Sequence, residues 1–166
     1  MNNFRETGWY PIKGKVALSK DERFFPHIGS VAQTISDHLK RQGMWKVKLE
    51  TSSSVSFHGL SSAHSGFLTL SKVVGIGFTK ISIENSQMVA HYYLRPSFIF
   101  ALGTFLPLII EMMEMSIYGM WLDFDWLFSL AIVAVITTGI LRFFPNRGMK
   151  QELKSAFRKA VEIMDT

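Results

Sequence analysis

Glu111 and Glu114 are the most pointed chemical feature of this chain, because they lie three residues apart inside an apolar stretch, SFIFALGTFLPLIIEMMEMSIY from Ser97. At that spacing two carboxylates share one helical face. A carboxylate in hydrocarbon is costly, so such a pair either works as a proton or cation relay or sits where water and headgroups reach it. Asp123 and Asp125 follow in the turn GMWLDFD, and four acids gathered at one mouth would attract cations. Between Pro96 and Leu141 there is no Lys, Arg or His, so the stretch offers these acids no basic partner.

Other chemistries find less support. The histidines, at positions 27, 38, 58, 64 and 91, form no HExxH pattern, and His58 and His64 lack a carboxylate at ligand spacing. No metal site is expected. His38 is expected on the polar side of a helix and His91 within an alternating strand. Ser52 to Ser54 and Ser61 to Ser65 lie in turn-like stretches with no G-x-S-x-G around them. The segment GIGF, residues 75–78, lacks the GK[ST] of a phosphate loop. The absence of cysteine removes thiolate nucleophiles, disulfides and Cys-based metal sites. No cofactor and no catalytic residue are expected, and an enzyme is the least supported class.

The elements that position these residues follow from charge and hydropathy. Residues 1–95 hold 12 Lys/Arg against 6 Asp/Glu, and residues 142–166 hold 6 against 3, whereas the middle is purely acidic. A second apolar stretch, WLFSLAIVAVITTGILRFF from Trp126, follows the first after the short turn. A bilayer span needs about 20 residues, so both are short but workable, with Arg142 able to snorkel. A soluble bundle would put a polar stripe on these helices, and Leu127 to Leu141 has none. A two-helix membrane hairpin is therefore expected over residues 96–144, with spans at about 97–118 and 126–144. Lys and Arg concentrate in both flanks, which predicts that both termini are cytoplasmic. Tyr118, Trp121 and Trp126 would mark the outer interface, and Tyr92, Tyr93, Phe143 and Phe144 the inner one. The start, MNNFRETGWY, shows neither a basic-then-apolar leader nor a lipidation signal, so insertion through the internal spans is expected, in a bacterial inner membrane.

The predicted fold class is α+β: a small cytoplasmic helix and antiparallel sheet joined to the hairpin and then to a C-terminal amphipathic helix. Residues 1–27, with Gly8, Pro11, Gly14 and Pro26, read as an extended arm or edge strand. Over residues 28–95, Val31, Ala32, Ile35 and Leu39 recur at helical spacing, with Ser30 as N-cap and Gly43 just past the end. The period then changes to two at Trp45, Val47 and Leu49, and Val55 and Phe57 continue it. FTKISIE and QMVAHYYL flank Asn85-Ser86, a tight hairpin. Phe67, Leu68 and Leu70 suggest another strand, and Gly75 and Gly77 a bend or bulge. So small a sheet is expected to lean on the membrane or a partner.

Over residues 145–166, Pro145 and Gly148 are expected to break the chain. Met149, Leu153, Ala156, Phe157 and Ala160 then form an apolar face flanked by basic residues. One reading lays this helix on anionic headgroups through Arg142, Arg147, Lys150, Lys154 and Arg158. The other packs the same face on the sheet. Ala131, Ala134 and Thr138 offer small residues for helix packing, within the hairpin or onto another copy. The basic residues of the first 95 are dispersed, so nucleic acid is not an expected partner; the bilayer, with a protein partner or a homo-oligomer, is. The first functional expectation is a non-enzymatic membrane-anchored adaptor or accessory subunit. The second, of a different class, is an oligomeric cation or proton pathway through Glu111 and Glu114.

Overall fold

The computed structural model describes residues 12–59, 74–118 and 124–164. In chain order these form β1 (Ile12–Ser19), a 3-10 turn (Glu22–His27), α1 (Ile28–Arg41), β2 (Met44–Thr51), β3 (Ser54–Gly59), β4 (Val74–Glu84), β5 (Gln87–Pro96), α2 (Phe98–Tyr118) and α3 (Phe124–Met164). The fold is α+β. Its five strands make one antiparallel sheet in the order β1-β5-β4-β3-β2. The strand expected around Phe67 to Leu70 lies outside the described residues, as do Trp121 and Asp123.

Local chemistry explains most boundaries. The Asp21 carboxylate opens the 3-10 turn, accepting from the Arg23 guanidinium at 2.7 Å and from the Arg23 backbone N–H at 3.0 Å. Those bonds hold its pKa below the ordinary carboxylate value. The turn runs directly into α1, so the helix begins at Ile28 and Ser30 is not its N-cap. Ser30 instead lies inside the helix, where its carbonyl accepts the Thr34 hydroxyl at 2.9 Å. At the other end Gly43 adopts φ 81°, as the residue after a helix often does because glycine meets no Cβ penalty there. Asn85 and Ser86 both have positive φ, 48° and 55°. This is the backbone a two-residue hairpin with the sheet's natural twist requires.

The expected bulge is present, with a register shift between Val74 and Ile76 on β4. Gly77, two residues on, stands opposite Phe57 on β3. Its missing side chain leaves room for the Phe57 ring, which is fully buried. Gly14 on β1 and Tyr92 on β5 repeat that arrangement on the same face, at the opposite edge of the sheet.

Alternation along the strands divides the sheet into two faces. Ile12, Val16, Phe57, Ile81, Ala90, Tyr92 and Leu94 belong to one, which forms the core together with Val31, Ile35 and Leu39 of α1. Met149, Leu153, Ala156, Phe157 and Ala160 of α3 complete it, and Phe157 meets Phe24 edge to face at 5.8 Å. The globular part therefore takes in β1, the 3-10 turn and the end of α3 as well as α1 and β2 to β5.

The chain does not break at Pro145 and Gly148. α3 runs as one helix from the second apolar stretch into the core. A proline in a helix interior costs about 3 kcal/mol. Burying Met149, Leu153 and Phe157 contributes about 1.5–3 kcal/mol each and outweighs that cost only if the helical phase carries through. The apolar face expected to lie on lipid or to pack on the sheet does the latter.

Candidate functional site

α2 and the first half of α3 are long and apolar enough to cross a membrane, yet only 6% of each apolar window is buried. A core helix of a soluble domain would be largely covered. Here Phe98 is 79% exposed, Ile117 72% and Val135 73%, and so large an apolar surface facing water is not sustainable for a soluble monomer. The helices pack against each other. Phe98, Ala101 and Phe105 at the start of α2 share a cleft with Thr138, Leu141 and Arg142 of α3, and Glu111 meets Ser129 further along, so the two run in opposite directions.

The Glu111 carboxylate accepts a hydrogen bond from the Ser129 hydroxyl at 2.8 Å. This neutral partner was not anticipated from a sequence with no base nearby. Glu114 and Asp125 are exposed, and Asp123 lies outside the described residues. Among the described residues no group of three or more His, Asp and Glu side chains stands where it could hold a metal ion. Of the three small residues on α3, Ala134 is half-buried, whereas Ala131 and Thr138 are exposed. Thr137 of α3 and Met115 of α2 are the buried positions of this region among the described residues.

Arg142, Arg147, Lys150, Lys154 and Arg158 of α3 are all exposed, but they do not form one plane. Because the helix is continuous, Lys150, Lys154 and Arg158 stand about 12, 18 and 24 Å beyond Arg142 along its axis, at about 1.5 Å per residue. Arg147 lies over the Phe143 ring at 5.8 Å, and Phe143 meets Phe144 edge to face. Tyr92, expected at the inner interface, is instead fully buried in the core, where its hydroxyl donates to Oδ1 of Asn146 on α3. That burial raises its pKa above the ordinary tyrosine value.

His38 also departs from expectation. It is buried, and its Nε2 bonds the Glu152 carboxylate of α3 at 2.7 Å. A small cavity of about 90 Å³ beside it is lined by Thr34, Asp37, Arg41, Lys159 and Ile163. Asp37 is held below the usual carboxylate range by the Gln33 amide at 3.1 Å and, less strongly, by Lys40 at 3.3 Å.

Two surfaces have the build of binding sites. The first is the outward face of the sheet. The register places Lys48, Ser56, Phe78, Tyr93 and Lys13 in one row across all five strands, and Ser54, Lys80, His91 and Lys15 in the next. Lys13, Lys15 and Lys80 are exposed, whereas Ser54, Ser56 and Phe78 between them are buried. The acids on this face are engaged, Glu84 with His91 at 2.7 Å and Glu50 with the Ser56 hydroxyl at 2.6 Å. The second is a cleft of about 620 Å³ where the sheet meets the bases of α2 and α3. Its walls are mostly apolar, and among the described residues those with charge that line it, Arg95 and Arg142, are both cations. No family model, curated protein or solved structure matches the chain.

Proposed function

We propose that this protein is a membrane-anchored adaptor. In this reading α2 and the first half of α3 cross a bilayer as a hairpin, the sheet domain sits on the cytoplasmic side, and the outward sheet face recruits an acidic protein partner. The carrying observation is the junction of two unlike surfaces through α3. The helix leaves an exposed apolar pair and enters the core of a domain whose outward sheet face carries exposed lysines at its margins.

Charge supports the orientation, since Lys and Arg flank the apolar pair on the domain side and are absent from its far end. Charge also supports the partner's chemistry. Lys13 and Lys15 are exposed on the same face of β1, about 7 Å apart at the usual strand rise, so their fields add and favour an anionic surface.

Two measurements test the reading. Alkaline carbonate should leave the chain in the membrane pellet, and release into the supernatant would end the anchor. For the partner, a photo-crosslinker at Ala17, exposed on β1, should capture one acidic protein in cells. The capture should fall with added salt and disappear in the variant Lys13→Glu, Lys15→Glu, Lys80→Glu. Equal capture by wild type and variant, or crosslinks to lipid alone, would refute the adaptor.

A further inference from the structure

We infer that one side of α3 is a docking lane for a single upright helix of an integral membrane partner, apolar where both helices cross the bilayer and acidic over the turns above it. The inference rests on the membrane reading above, and it assigns a second surface, separate from the sheet face.

The lane is continuous in sequence. Ile132, Ile136 and Gly139 are followed by Phe143, Arg147 and Lys150, then by Lys154 and Arg158, at recurring intervals of four, three and four residues. All eight are exposed. Because α3 is one helix, such an eleven-residue repeat, about 3.67 residues per turn, keeps them on a nearly straight line along its axis. Met149, Leu153 and Ala156, which hold the core, lie on another side of the helix. A Cβ on Gly139 would meet nothing within 4 Å, and an open small residue in a span lets a second backbone come close. The Arg147 guanidinium lies over the Phe143 ring at 5.8 Å, which joins the apolar half of the lane to the basic half.

Chemistry and height select the occupant. Cations repeated at roughly 5–6 Å match carboxylates repeated at the same interval on a facing helix. Lys150, Lys154 and Arg158 stand about 12 to 24 Å beyond Arg142, past the ~8 Å over which headgroup charge is screened, so the bilayer itself does not serve them. A second copy in the same membrane would stand the same way up and set like charges against like. Single-stranded nucleic acid is held in grooves with aromatic platforms for its bases, whereas this lane is the convex side of a helix with its one ring, Phe143, at the bilayer end. A soluble acidic helix would leave Ile132, Ile136 and Gly139 unused.

The chain holds no cysteine, so Ser155→Cys, exposed beside the lane, takes one donor dye in the full chain. The probe is a synthetic peptide with a leucine–alanine span of about 20 residues, continued by about three turns that carry Glu at the same repeat and an acceptor dye. Both are reconstituted in phosphatidylcholine vesicles. Energy transfer should report association with the Glu peptide, weaker with salt and about tenfold weaker when Gln replaces Glu. Lys150→Gln with Lys154→Gln and Arg158→Gln should weaken it about tenfold as well. Gly139→Leu keeps every cation but fills the apolar half, and it should also weaken association. Equal transfer to the Glu and Gln peptides, unchanged association in both variants, equal binding of the acidic extension without its span, pairing of two copies of the chain through these residues, or tighter binding of a single-stranded oligonucleotide would overturn the lane while leaving the anchor intact. A chain that carbonate washing strips from the vesicles would overturn both.

Discussion

The Tyr92 hydroxyl on β5 donates to the side-chain carbonyl of Asn146, the residue directly after Pro145 in α3. The bond ties the centre of the sheet to the point where the apolar part of α3 becomes a core helix. Gly14 on β1 makes it possible, since a side chain there would occupy the space of the Tyr92 ring.

Tyr92→Phe should therefore destabilise the domain by about 1 kcal/mol, the net worth of a typical hydrogen bond. It should also change the alkaline limb of stability. Burial raises the Tyr92 pKa in the folded state, so above about pH 10 the unfolded chain loses this proton while the folded chain keeps it. Stability is then full below the unfolded value and falls as pH rises toward the folded one. Thermal unfolding in detergent, followed by circular dichroism between pH 8 and pH 11, should show a steeper alkaline loss in wild type than in Tyr92→Phe. Parallel curves would show that Tyr92 ionises freely in the folded protein.

The His38 to Glu152 pair joins α1 to α3, with the His38 side chain 3% exposed and that of Glu152 24%. Glu152→Ala leaves a buried imidazole without a partner at Nε2, and Nδ1 already has none among the described residues. It should cost about 1–3 kcal/mol. Replacing both groups by leucine removes the polar burden with the bond and should recover most of that loss. Urea unfolding of His38→Leu, Glu152→Leu and the double leucine variant decides it, and an additive double variant would mean that the two residues do not interact.

Gly77 and Gly103 make a matched pair for testing packing. A Cβ on Gly77 would collide with the buried Phe57 ring, whereas one on Gly103 of α2 meets nothing. Gly77→Ala should lower Tm strongly and Gly103→Ala leave it unchanged or slightly raised, because alanine favours a helix by about 1 kcal/mol over glycine. Gly77→Ala combined with Phe57→Leu should regain part of the loss if the ring is the obstacle.

Glu111→Ala should loosen the packing of α2 on α3, and Glu111→Gln, which can still accept from Ser129, should preserve it. Thermal unfolding of the full chain in detergent reports that packing. Proton or cation flux through proteoliposomes that falls equally in both variants would instead mark the carboxylate charge as the working group.

Features set by neighbouring residues were legible in the sequence: the Gly43 stop, the Asn85-Ser86 turn, the bulge at Gly75 and the two apolar stretches. Features set by distant pairing were not. His38 lies seven residues after Val31 and three after Ile35, which places it on the apolar face of α1, but only its bond to Glu152 makes burial tolerable there. The cleft was invisible for the same reason, since Ile12, Arg95 and Arg142 meet only through the β1 to β5 pairing and the return of α3. Pro145 misled because the local cost of proline is plain in a sequence, whereas the compensating burial of Met149, Leu153 and Phe157 belongs to the assembled core.

Continuity through Pro145 can be measured directly. Arg142 and Arg158 are both exposed on α3, and nitroxide labels at these positions would replace side chains that hold no core contact. In an unbroken helix their backbones stand about 24 Å apart. A chain that broke at Pro145 and folded back onto the membrane surface would shorten the separation and broaden its distribution. Pulsed electron resonance on the full chain in vesicles should give one narrow distribution consistent with the helical value, and the same distribution in detergent. A short or split distribution would mean that α3 is two helices. Lys150, Lys154 and Arg158 would then be free to reach the headgroups, and the rigid coupling between the apolar pair and the sheet domain would be lost.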